Sequence, residues 1–210
     1  MEKGVLSRQR ILDAALEEFA NYGYLGASLN RVCKEKNISK GMIYHYFRSK
    51  DELYLLCLEN CFNDLTKYLK INFENKNNDI ESMLKQYFEL RLDFFAKNPL
   101  YLGLFSDLIL NTQNHLKTNI CVIKKDFDEL NISILKSMLN TASLRKGLTI
   151  DTIVKDFIMY TNIFNLVFKD SLEKTASSEK TLQEHEAMVN RLIKLMLYGV
   201  LESENKYRNQ

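Results

Sequence analysis

Proline is nearly absent from this chain. Pro99 stands alone in 210 residues, and only seven glycines accompany it. These two residue types cost a helix interior roughly 3 and 1 kcal/mol relative to alanine. Their scarcity excludes a turn-rich β-sandwich or barrel and favours an all-helical chain. No apolar run reaches the roughly 20 residues that cross a bilayer, so no membrane span or membrane partner is expected. The opening MEKGVLSRQRILDAALEEF is charged and amphipathic and lacks the apolar stretch of a secretory signal. The chain therefore reads as cytoplasmic.

Chemistry-bearing motifs are equally scarce. The three histidines (45, 115 and 185) are scattered, and the four cysteines (33, 57, 61 and 121) lie inside apolar helical patterns. Such cysteines read as small buried hydrophobes in a reducing compartment, not as metal ligands. A di-iron bundle would need Glu-x-x-His pairs. The residues three before each histidine are instead Met42, Thr112 and Leu182. There is no H-E-x-x-H, no glycine-rich phosphate loop and no G-x-S-x-G. No catalytic residue, metal or cofactor is expected, and a helical-bundle enzyme is the weaker alternative.

What the chain does have is an uneven charge distribution. Residues 1–50 hold nine Lys/Arg and five Asp/Glu, leaving 20 basic and 22 acidic residues for the remainder. A basic front end on a near-neutral body points to a polyanionic partner for the N-terminal part.

Helical periodicity runs almost throughout. Residues 8–22 place Ile11, Leu12, Ala15, Leu16 and Phe19 on one face, with Gly23 at the end. Ser28 caps a short helix over 29–36, and Ser39 caps another over 40–47. Ser49 and Glu52 form a capping box that opens a long helix over 50–73. Polar linkers are expected at 74–80 and 174–180. Between and beyond them helices are predicted over 79–98, 100–110, 114–144, 151–174 and 180–203, about nine in all.

Two short helices joined by a tight turn after a longer one describe a helix-turn-helix, whose second helix enters the DNA major groove. The stretch KNISKGMIYHYFRSKDEL suits that role. Ser39 and the free N–H groups at the helix start can bind phosphate, and Gly41 lets the backbone approach closely. Tyr44, His45 and Tyr46 offer flat rings with polar tips to sugars, thymine methyls and base edges. Lys50 adds charge in the first turn of the next helix. Ile43 and Phe47, four apart, are expected to face the preceding helices.

These residues carry a family resemblance. Over 8–56, the run ILDAALEEFANYGYLGASLNRVCKEKNISKGMIYHYFRSKDELYLL resembles the DNA-binding domain of the tetracycline-repressor (TetR, AcrR-like) family of bacterial regulators. The matching features are Phe19/Gly23/Tyr24, Ser28, Val32-Cys33, Ile38-Ser39-x-Gly41, Ile43-Tyr44-x-Tyr46-Phe47 and Lys50-x-x-Leu53. Serine replaces the family's frequent threonine at 28, and cysteine its alanine at 33. Tyrosine replaces its histidine at 46, with His45 one place earlier.

The resemblance implies that Ser28, Leu29, Asn30, Ser39, Lys40, Gly41, Tyr44, His45, Tyr46 and Lys50 line operator DNA. It implies a ligand-responsive transcriptional regulator, usually a repressor, acting as a homodimer on a palindromic operator. It places the protein in the bacterial cytoplasm, at the nucleoid when bound to DNA. The implied architecture is a helix-turn-helix domain over 1–50, linked through helix 50–73 to a helical effector-binding and dimerisation domain over 51–210.

Within that body, aromatic and polar residues suited to a hydrophobic or aromatic small-molecule effector are Met83, Tyr87, Arg91, Phe94, Phe105, His115, Phe127, Tyr160 and Phe164. Apolar stripes suited to a four-helix dimer interface are Ile153, Phe157 and Phe168 on one helix, with Met188, Leu192, Leu195, Met196 and Gly199 on the last. The rival to a DNA-binding regulator is an all-helical interaction module that keeps the fold without specific DNA binding.

Overall fold

The computed structural model describes residues 2–74, 80–171 and 177–201, with the backbone alone for 2–6, 165–167 and 169–171. Among the described residues the chain forms ten α-helices and no sheet. Three helices build the front end: α1 (Glu2–Gly26), α2 (Leu29–Lys36) and α3 (Lys40–Tyr46). The body contains α4 (Lys50–Asn72), α5 (Ile80–Lys97), α6 (Pro99–Asn111), α7 (Lys117–Ile123), α8 (Lys125–Leu139), α9 (Ile150–Ser171) and α10 (Ser178–Val200).

The helix starts obey their caps. Ser28, Ser39 and Ser49 each accept a hydrogen bond from the backbone N–H three residues on, at Arg31, Met42 and Glu52. Glu52 reaches back past the cap to accept from the Arg48 N–H at 2.6 Å, one residue before the Ser49 N–H that the expected capping box would use. Asn37 ends α2 in the left-handed conformation (φ 51°) that asparagine tolerates better than most residues.

One expected helix is divided. The periodicity over 114–144 becomes a 3₁₀ turn at Asn114–Leu116, then α7, then α8. The bend is at Lys124, whose N–H is shared between the carbonyls of Ile120 and Val122. Apolar spacing survives such a bend, so the pattern did not reveal it. The expected linker at 74–80 falls largely outside the described residues, whereas of 174–180 the structure describes 177–180, and α10 already begins at Ser178, capped by Ser177.

A single apolar core runs through both parts. Phe19, Tyr54, Phe62, Phe95, Ile43 and Phe47 are among the fully buried side chains. Ile43 and Phe47 thus face inward as their spacing predicts. Cys57 and Cys61 are buried, and burial pushes the Cys57 thiol up to about 12. Cys121 departs from the expectation, because it is exposed. No helix among the described residues is long and apolar enough to cross a membrane.

α1 packs most extensively on α6. Gly103 of α6 makes this possible: a Cβ there would lie 2.5 Å from the Ala20 carbonyl oxygen. The front end is therefore seated on the body by close backbone approach, not only by the continuous α4.

Candidate nucleic-acid interface and effector cavity

The second short helix, α3, presents a solvent-facing surface. Lys40, Gly41, Met42, Tyr44 and His45 are exposed and Tyr46 is half-buried. The His45 and Tyr46 rings meet edge to face with centroids 4.8 Å apart. Tyr44 is 49% exposed and Met42 41%, so apolar surface faces solvent here without a partner in the subunit. Met42 was missed by reading the stretch for rings and charge; its exposure follows from helical phase, one position before buried Ile43. Asn30 and Ser39 are exposed beside this surface, and Ser28 and Leu29 are half-buried with Ser28 committed to its cap.

Much of the front-end basic charge is used internally. Arg31 clasps Glu18 through Nε and Nη2 (2.6–3.1 Å), donates to the Gly26 carbonyl and stacks over Tyr22 at 3.6 Å. Glu18, only 5% exposed, also accepts from the Ser28 N–H at 2.6 Å. Arg10 donates to the Lys36 carbonyl, while Lys36 pairs with Glu17. Lys50 turns inward as well: its ammonium donates to the Ala27 carbonyl at 2.7 Å and lies 4.8 Å from the Tyr24 ring centroid. Burial lowers its pKa. Unlike Lys40 and Arg48, which are exposed, Lys50 does not stand with the outward-facing group.

The body encloses a cavity of about 580 Å³. Phe62 of α4, Phe88 of α5, Phe105 of α6, Phe127 of α8 and Phe157 of α9 supply rings to its wall. Its polar end is a buried chain. Arg91 donates through Nε and Nη2 to both oxygens of Glu186 (2.8 and 2.7 Å), and through Nη1 to the Tyr87 hydroxyl at 3.1 Å. Tyr87 in turn donates to Asn131 at 2.7 Å. Burial alone would raise the Glu186 pKa, but the Arg91 guanidinium outweighs it and holds the carboxyl at about 2. His185, 3.4 Å from Glu186, adds to this.

Four of the nine residues proposed for an effector site, Tyr87, Arg91, Phe105 and Phe127, meet at this cavity. Met83 and Phe94 are packed in the core instead. Tyr160 is 46% exposed on the outer side of α9. Phe164 packs on Phe168 and His185. His115 lies at the junction with the front end, 3.3 Å from Asp51 and 3.4 Å from the Tyr24 hydroxyl. Its place there follows from the short 3₁₀ turn that breaks the expected helix. Glu186 and His185, 95 and 94 positions beyond Arg91, carried no sequence signal for this site.

The stripes proposed for a dimer interface also divide. Ile153 (4% exposed) and Phe168 (1%) belong to the subunit core, and Phe157 lines the cavity. On α9 the exposed apolar residues are Ile158, Met159, Tyr160 and Ile163. On α10, Leu195 and Gly199 are exposed while Met188, Leu192 and Met196 are half-buried.

Asp107 links the two parts. It is 9% exposed on α6, in an otherwise apolar helix. Its Oδ2 accepts from the Tyr24 N–H at 2.8 Å and the Tyr54 hydroxyl at 3.1 Å, and its Oδ1 accepts from Asn111 at 3.1 Å. Gly23 adopts φ 65°, ψ 175° where α1 bends over this carboxylate, and a Cβ there would lie 2.5 Å from Oδ1. Tyr24 also donates to Asp51, and its pKa is pushed up to about 12 by burial first and by Asp51 second.

Comparison with known proteins agrees with this geometry. Residues 11–57 match the family described as bacterial regulatory proteins, tetR family. The chain is 31% identical over 86 residues to the biofilm operon negative transcriptional regulator IcaR of Staphylococcus epidermidis, covering 41% of this chain and 46% of that protein. It is 28% identical over 113 residues to IcaR of Staphylococcus aureus strain Newman, covering 54% and 59%. The chain thus spans about half the length of the curated relatives it matches. A TetR family transcriptional regulator from Chloroflexus aurantiacus shares the fold, with a TM-score of 0.61 at 19% identity over 97% of this chain and 99% of that one. So does FadR from Bacillus subtilis, solved with stearoyl-CoA, with a TM-score of 0.60 at 16% identity over 91% and 98%. Residues 11–57 thus match the tetR family model over the helix-turn-helix, and the helical body on which they sit shares the fold of a TetR family regulator.

Proposed function

We propose that the chain is a ligand-responsive transcriptional repressor that binds a palindromic operator as a homodimer. The observation that carries this reading is the seating of the front end, which bears the exposed aromatic surface of α3, on α6, a helix that also lines the apolar cavity. Phe105 and Leu108 of α6 line the cavity, while Gly103 and Asp107, on the same helix, hold α1. Tyr44, His45 and Met42 read base edges and methyls, and Lys40, Arg48 and the α3 N-terminus meet phosphates. Lys50 serves by fixing the α2–α4 corner. Residues 51–210 form the effector-binding and dimerisation domain.

Pairing buries the outward apolar surface of α9 and α10. Tyr160, Ile163 and Leu195 are 46%, 49% and 65% exposed in the subunit, more apolar area than a monomer needs to leave in water. The dimer then presents two α3 helices to successive major grooves, about 34 Å apart. Effector in the cavity shifts the population towards a spacing that no longer fits. It does so through Phe62 on the α4 lever and through the grip of α6 on α1. No catalytic residue, metal or cofactor has a part in this reading. The negative regulation named for IcaR supports repression.

Fluorescence anisotropy with DNA flanking the protein's own gene, beside a scrambled duplex at two salt concentrations, tests the reading. Binding that strongly favours the native duplex supports it. Equal, steeply salt-dependent binding to both leaves only a basic front end and removes it. Free and ligand-bound structures with the same α3 separation would remove the spacing mechanism.

A further inference from the structure

We infer that the effector is an acidic amphiphile, with an apolar body inside the cavity and a carboxylate held at its mouth by Lys117. This assignment rests on the ligand-responsive reading above and names the chemistry of its site. Among the described residues the interior holds no unpaired charge. Arg91 occupies both Glu186 oxygens, and its remaining bond passes through Tyr87 to Asn131. An ion placed there would have to break a buried bidentate pair, which is strongly unfavourable. Phenylalanine, leucine and isoleucine side chains line most of the rest of the space, so the interior accepts hydrocarbon.

The mouth is different. Residues that line the cavity and are also exposed mark its opening: Asn114, Lys117, Cys121, Asp128 and Asn162. They lie on the 3₁₀ turn, α7, the first turns of α8, and α9. Lys117, Cys121 and Lys124 recur at helical spacing along α7 and its end, and all three line the cavity. Lys124 is paired with Asp128 at 3.4 Å and sits 5.9 Å from the Phe62 ring centroid. Lys117 forms no ion pair among the described residues. The ionic groups lining the cavity are Arg91, Lys117 and Lys124 against Asp128 and Glu186, with His185 beside Glu186. Among the described residues two pairs cancel, and Lys117 is left over at the rim. A neutral amphiphile gains nothing from it, and a cationic one is repelled.

The test uses calorimetric titration of the full chain with three probes of one tail length: decanoate, 1-decanol and decyltrimethylammonium. Decanoate is expected to bind tightest. Lys117→Ala, on an exposed position, should weaken decanoate about fivefold, the upper range for an exposed ion pair, and leave decanol unchanged. Lys117→Glu should move the preference towards the cation. Equal affinity for decanoate and decanol, an equal loss for both in Lys117→Ala, or no binding by any probe would each overturn the assignment. Anisotropy of the operator complex with the same probes separates the two readings. Release by decanol as readily as by decanoate defeats the acidic class and leaves ligand response standing. Decanoate binding at Lys117 without operator release supports the acidic class and defeats ligand response.

Discussion

Replacing Asp107 with alanine should loosen the seat of the helix-turn-helix domain. The carboxylate accepts from the Tyr24 N–H, the Tyr54 hydroxyl and the Asn111 amide. Asn111 is exposed and can turn to water. The other two donors stay buried or partly buried and lose their acceptor. Each such orphan costs about 1–3 kcal/mol, so the pair should cost about 2–6 kcal/mol, less whatever water enters the gap. For a domain of this length each kcal/mol lowers the melting temperature by roughly 2–4 °C. A fall of roughly 5–15 °C in thermal denaturation followed by circular dichroism is therefore expected. Asp107→Asn should cost only about 1 kcal/mol, because its amide oxygen can still serve both tyrosine donors while Asn111 flips its own amide.

Gly23→Ala tests the same junction from the other side. It combines a backbone region closed to side chains, worth about 1–3 kcal/mol, with a clash against Asp107 Oδ1. In the Asp107→Ala background the clash disappears and only the backbone term remains, so the double mutant should be less unstable than the two single losses added together. An Asp107→Ala protein melting within 2 °C of wild type would refute the reasoning. So would strict additivity with Gly23→Ala.

Four further predictions follow from the same structure. Arg91→Ala should destabilise by about 3–5 kcal/mol by stranding Glu186, whereas Arg91→Met with Glu186→Leu should cost much less; urea denaturation measures both. Glu186, held at about 2 against an ordinary value near 4.5, contributes stability that is fully present above the unfolded value and lost as pH falls towards 2; Glu186→Gln should flatten that acid limb. Lys40→Ala should lower the salt slope of DNA binding by about one unit, whereas Lys50→Ala should lower thermal stability and leave the slope nearly unchanged. Leu195→Asp should shift the chain to monomer in light scattering and weaken operator binding with it.

The front end was legible because its signals are local. A serine three residues before an orphan N–H, a glycine at a bend and an apolar pair four apart each act within one turn, and the structure places them accordingly. Lys50 shows the limit of such reading. Its type and position fit a phosphate contact, yet the Ala27 carbonyl, 23 positions earlier, takes its ammonium. Local pattern says that a side chain is basic, and only tertiary proximity says whether that charge is already used.

The body was less legible because two different problems share one periodicity. α9 carries apolar residues on more than one side, so spacing by three or four finds several stripes of similar quality. Ile153 and Phe168 belong to the stripe that the subunit core takes, and Met159, Tyr160 and Ile163 to the one it leaves. Hydrophobicity cannot choose between them, since the two stripes are similarly apolar and only packing within the subunit tells them apart. Asp107 offered a better clue. A lone charge in PLYLGLFSDLILN finds only the Asn111 amide within its own helix and cannot be buried without further donors from elsewhere. The same helix holds Gly103, where nothing in the local pattern needs a glycine. Together these two residues mark the surface of α6 that must meet another backbone, and that surface is the one on which the helix-turn-helix domain sits.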